Sequence, residues 1–123
     1  MSPSPSEQVA VLCNELALKV IEYERLVTDR ANAETTYKAS FARRVMRARL
    51  EEGVKDISEA EHVATGDPAI EDLRRVYLVA EGVADACQKQ IASHRARIDY
   101  GRSRIATERA QDMLHAQGVG GHS

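Results

Sequence analysis

From Ser6 to Glu52 the chain contains neither glycine nor proline, and apolar side chains return every three or four residues throughout. The series runs Val9, Leu12, Leu16, Val20, Tyr23, Val27 and Ala31, then Tyr37, Phe41, Val45 and Ala48. Such steps put one apolar stripe on an α-helix, because 3.6 residues complete a turn. Unbroken, this helix would approach about 70 Å at 1.5 Å per residue. Ser4 as N-cap, Pro5 at the first helical position and Glu7 closing a capping box supply its start. The polar segment 28–36 dilutes the stripe, and a bend or break would fall there.

Gly53 is expected to end that helix. Ser58 and Glu61 form a second capping box for a short helix that Gly66 stops, and Asp67-Pro68 reads as the start of another. From there Ile70, Leu73, Tyr77, Ala80, Ala84, Cys87, Ile91, His94, Ile98, Gly101 and Ile105 hold a seven-residue repeat, which imposes left-handed coiled-coil or bundle packing. Gly118 is the expected stop. The reading is therefore a single all-α domain over 1–123: a tail at 1–5, helices over 6–52, 58–66 and 68–117, and a tail at 118–123. Two helices this long cannot bury their stripes in a compact monomer of this size. They are expected to pair as an antiparallel hairpin, and the hairpins to pack into a homo-oligomeric bundle or ring larger than a dimer. Ala80, Ala84 and Gly101 would allow close approach, although Gly82 and Gly101 each cost roughly 1 kcal/mol of helix propensity relative to alanine.

A net charge of −2 conceals blocks of alternating sign. Residues 36–50 hold Lys38, Arg43, Arg44, Arg47 and Arg49 and no acid. Residues 51–72 hold eight carboxylates against Lys55, and residues 89–109 hold Lys89, Arg95, Arg97, Arg102, Arg104 and Arg109 against Asp99 and Glu108. Clustered arginine on a helix is an anion-binding footprint, and the extended anion it best fits is a nucleic-acid backbone. Lys38, Arg43, Arg44, Arg47 and Arg49 are the candidate DNA-contacting residues. Arg95, Arg97, Arg102 and Arg104 fit either DNA or the acidic block of a neighbouring subunit. With aromatic residues at 4% and no tryptophan, arginine rather than stacking is expected to carry single-strand binding.

No Gly-rich phosphate loop, GxSxG, HExxH or CxxC spacing occurs, so no catalytic residue, metal site or cofactor is assigned and the chain reads as non-enzymatic. Cys13 and Cys87 lie within helical patterns and read as small buried hydrophobes; His94, on the seam, reads as a core or interface histidine. No segment approaches a membrane span, and residues 1–8 lack the basic and apolar regions of a secretion signal. The expected location is the cytoplasm.

The run from Arg44 to Glu51, with Arg47-Ala48-Arg49-Leu50 followed by an acid, resembles the motif of the UvsY-like recombination mediator proteins of tailed bacteriophages. So do the long helix, short acidic connection and long C-terminal helix, and the ending with Arg102-Ser103 and Gln111-Asp112-Met113. The resemblance implies a ring-like homo-oligomer that binds single-stranded DNA and helps a RecA-type recombinase displace a single-strand binding protein. By that motif Arg47 and Arg49 would contact DNA; they lie about 200° apart on one helix, so both do so only if the strand wraps or two subunits share it. Two other readings stay open: a structural scaffold or connector protein of a phage particle, and a small helical inhibitor or adaptor docking on a host protein.

Overall fold

The computed structural model describes residues 2–120 and is all-α: α1 (Pro5–Leu50), α2 (Ile57–Thr65) and α3 (Pro68–Gly120), with no strand among the described residues. No helix among them is long and apolar enough to cross a membrane.

The capping box at the start of α1 forms as the sequence specifies. Ser4 Oγ accepts from the Glu7 N–H at 3.2 Å, and the Glu7 carboxylate accepts from the Ser4 N–H at 3.4 Å. The helix is unbroken through 28–36. There the buried row shifts from the expected path: Leu26 is buried and Ala31 exposed, and half-buried Arg30, Ala33 and Glu34 lead on to Tyr37. The stems of long polar side chains cover the interface where apolar residues run out. The Arg25–Asp29 and Lys38–Glu34 pairs, each four residues apart, support the same stretch.

α1 stops at Leu50, two residues before the expected boundary. Gly53 adopts φ 73°, the left-handed region that penalises a Cβ, and the Val54 N–H returns to the Ala48 carbonyl at 3.1 Å. α2 begins one residue early because its N-cap is Asp56, not Ser58: the Asp56 carboxylate accepts from the Ser58 N–H at 3.1 Å. Asp67 caps α3 as expected, accepting from the Ala69 N–H at 2.9 Å. The expected stop at Gly118 is not used, and α3 continues to Gly120. A glycine ends a helix by turning left-handed, and Gly53 alone has positive φ among the described residues. Of the expected C-terminal tail, residues 121–123 lie outside the described ones.

The chain forms two compact units, one of Met1–Ile21 with Gln88–Ser123, the other of Glu22–Cys87; we call them the terminal and central units. In the central unit α1 and α3 run antiparallel: Arg30 faces Asp85, Tyr37 stacks on Tyr77 with ring centroids 6.1 Å apart, and Arg44 meets Asp67. Val45 and Ala48 of α1 pack on Ala60 and Ala64 of α2, edged by Phe41, Val54 and Val63. Alanine at three of these four positions lets the helices approach closely. The terminal unit is antiparallel too, with Lys19 on Gln90 (2.8 Å), Glu15 on His94 (3.0 Å) and Val9 against Gly101. Every seam position read from the heptad pattern of α3, from Ile70 to Ile105, is buried or half-buried.

Candidate nucleic-acid interface

In the central unit the basic block of α1 is less free than its sequence suggests. Lys38 Nζ lies 2.6 Å from Glu34 Oε1, one turn back on the same helix. This contact lowers the Glu34 pKa and raises that of Lys38. Arg44 is nearly covered, at 13% side-chain exposure, and its guanidinium is held from two sides. Nε donates to Asp67 Oδ2 at 2.8 Å and Nη2 to Glu52 Oε2 at 3.2 Å. Nη1 also sits 2.9 Å from Glu52 Oε1, off the line of a hydrogen bond, so it adds charge attraction alone. Donating these hydrogen bonds to Glu52 and Asp67 raises the Arg44 pKa further. The Asp67 carboxyl is held low, first by the Ala69 N–H and then by Arg44.

Arg47 is half-exposed but stays within 3.8 Å of Glu52 and 3.7 Å of Asp67. Arg43 has only a 3.3 Å hydrogen bond to Ser40 Oγ, and Arg49 is exposed without an ion pair among the described residues. Of the five cations read as DNA-contacting, Arg43 and Arg49 are therefore the two without a carboxylate partner among the described residues. The turn at Gly53 and the cap of α3 bring Glu52 and Asp67 onto Arg44 and Arg47, a closure no helical spacing announces. The Glu34–Lys38 pair, by contrast, was legible as an i, i+4 spacing just outside the basic run.

In the terminal unit the arginines of α3 are better exposed. Arg95, Arg102 and Arg109 recur every seven residues on one side of the Ile91–Ile98–Ile105 seam, about 10.5 Å apart along the axis. Arg97 and Arg104 recur likewise on the other side. All five are exposed. Arg104 pairs with Glu108 at 3.4 Å and Arg102 Nη2 approaches Cys13 Sγ at 4.0 Å, whereas Arg95, Arg97 and Arg109 make no ion pair among the described residues. His94 sits on the seam as a half-buried histidine, its Nε2 on Glu15 and its Nδ1 on the Gln90 carbonyl, both at 3.0 Å.

Beside the Arg97–Arg104 lane runs a groove of about 400 Å³, floored by Val9, Leu12 and Gly101 and rimmed by Arg97, Tyr100 and Arg104. Tyr100 is 71% exposed; Tyr23, Tyr37, Phe41 and Tyr77 are all half-buried. Sequence reasoning passed over Tyr100. Its signal is the spacing Arg97, Tyr100, Arg104, which shares one helix face at i, i+3, i+7. No protein-family model matches the chain, and neither curated proteins nor solved structures include a match.

Proposed function

We propose that this chain is a non-enzymatic, single-strand-binding accessory protein of DNA recombination, which assembles as a homo-oligomer larger than a dimer. In that role it loads a RecA-type recombinase onto DNA covered by single-strand binding protein. The observation that supports the reading most directly is the double lane of exposed arginines on α3 of the terminal unit, four of the five free of ion pairs among the described residues. A rigid helix that repeats cations at a fixed rise follows a phosphate backbone and displaces its condensed counterions. Assembly is supported by apolar side chains left at the surface of each unit: Val76, Val79 and Val83 on α3 of the central unit, and Val11, Leu18 and Ile21 on α1 of the terminal unit. Repeating such weak contacts around an oligomer lets individual subunits release phosphates while the assembly stays bound.

The test is binding of oligo(dT) and of a matched duplex across a salt series, followed by recombinase ATPase on DNA coated with single-strand binding protein. The reading expects steeply salt-dependent binding of the single strand and faster recombinase loading, with no ATPase from the protein itself. A specific observation favours a second reading, that of a particle-assembly protein: the Glu52–Arg44–Asp67 cluster commits part of the basic block to the fold. Stable assembly without oligonucleotide binding at low salt would select it.

A further inference from the structure

The groove beside Tyr100 has a composition that the arginine lanes alone do not explain. Its floor is apolar and its rim carries two guanidiniums, with the chain's single well-exposed aromatic ring between them among the described residues. Arg97 and Arg104 are seven residues apart, so their backbones stand about 10.5 Å apart, and Tyr100 projects from the same face between them. Gly101 lets Val9 close the floor: a Cβ there would stand 2.7 Å from Val9 Cγ2.

We infer that this groove is a base seat for single-stranded nucleic acid, in which one unpaired base stacks on Tyr100 while the flanking phosphates pair with Arg97 and Arg104. The inference rests on the single-strand-binding reading above and assigns it a residue and a geometry. An apolar floor with a stacking ring suits the face of a base, which a duplex keeps covered, and two cations suit the charge on either side of it. Two carboxylates border the site. Glu108 holds Arg104 at 3.4 Å and Glu15 holds His94 at 3.0 Å, leaving Arg97 as the rim cation without an ion pair among the described residues. An acidic peptide would satisfy the arginines but gains nothing specific from a stacking ring, so unpaired nucleic acid is the better match.

Full-length Tyr100→Trp tests it, since the chain has no tryptophan of its own. Added oligo(dT) should quench the emission of the introduced indole in parallel with binding followed by fluorescence anisotropy, and a duplex of equal length should not. Tyr100→Ala should weaken oligo(dT) binding roughly 5- to 100-fold and Tyr100→Phe by less than about twofold. Both should keep wild-type helicity, because the ring is exposed. Arg97→Ala with Arg104→Ala should lower the single-strand salt slope by about 1.4, the share of two phosphates.

Wild-type binding that Tyr100→Ala leaves unchanged overturns the base seat and spares the single-strand-binding reading. No binding by the wild type at low salt overturns both. Equal quenching by poly-glutamate, or a blue shift of the indole emission that follows protein concentration without DNA, assigns the groove to an acidic peptide or to a second copy of the chain and overturns the proposal.

Discussion

Replacing Gly101 with alanine sets two terms of known sign against each other. In an open helical position the exchange stabilises by roughly 1 kcal/mol, because glycine loses more backbone freedom on folding and alanine is the best helix former. At Gly101 the new methyl would fall 2.7 Å from Val9 Cγ2, about 1 Å inside the carbon–carbon optimum. Val9 is β-branched and stiff at χ1, so the strain is relieved by moving α1 rather than by a rotamer hop. Overpacking of this kind costs about 1–3 kcal/mol, giving a net change between neutral and about 2 kcal/mol destabilising. Gly82 is the control, since a Cβ there meets nothing within 4 Å and the propensity gain of roughly 1 kcal/mol should appear in full. Urea unfolding followed by far-UV circular dichroism, at one protein concentration for all variants, measures both. Val9→Ala in the Gly101→Ala background should recover stability, with a coupling of about 1 kcal/mol or more. If Gly101→Ala stabilises as much as Gly82→Ala, the close approach of Val9 and Gly101 is refuted.

Gly53→Ala forces a Cβ into the left-handed region at φ 73° and should destabilise by about 1–2 kcal/mol in the same assay. The folded-state pKa of Asp67 is depressed from 3.8, so its stabilising contribution is present above that value and is lost as pH falls through the lower folded one. Unfolding midpoints of the wild type should accordingly drop in acid below about pH 4, and Asp67→Asn, weaker at neutral pH, should show a shallower drop. Arg43→Ala with Arg49→Ala should reduce the salt dependence of oligo(dT) binding while leaving urea stability within about 0.5 kcal/mol, as neither residue is tied into the fold; Arg44→Ala should do the reverse, and a swapped outcome would show that Arg44 rather than Arg43 and Arg49 carries the charge seen by DNA.

The sequence by itself determined the helices and the faces they bury. Periods of 3.5 to 3.6 are local properties, and a heptad seam has one way to point inward, so Ile70 to Ile105 could be read position by position. The Ser4–Glu7 and Asp67–Pro68 starts were legible because a capping side chain reaches only the next turn. Where two local signals competed, context chose between them: Asp56 displaced Ser58 as the cap of α2, Leu26 displaced Ala31 in the seam, and Gly118 passed into helix. Charge was the least legible property. The basic block 36–50 of α1 reads as five free cations, yet Glu34 holds Lys38, and Glu52 and Asp67 are placed on Arg44 and Arg47 by the reversal at Gly53, which leaves Arg43 and Arg49 as the pair without a carboxylate among the described residues. The grouping of Arg97, Tyr100 and Arg104 was present as a spacing, but only the packing of α1 against Gly101 supplied the apolar floor beside it. Backbone preference and periodicity act within a turn or two of helix, whereas neutralisation of a charge and enclosure of a groove depend on groups that meet only when the chain folds back on itself.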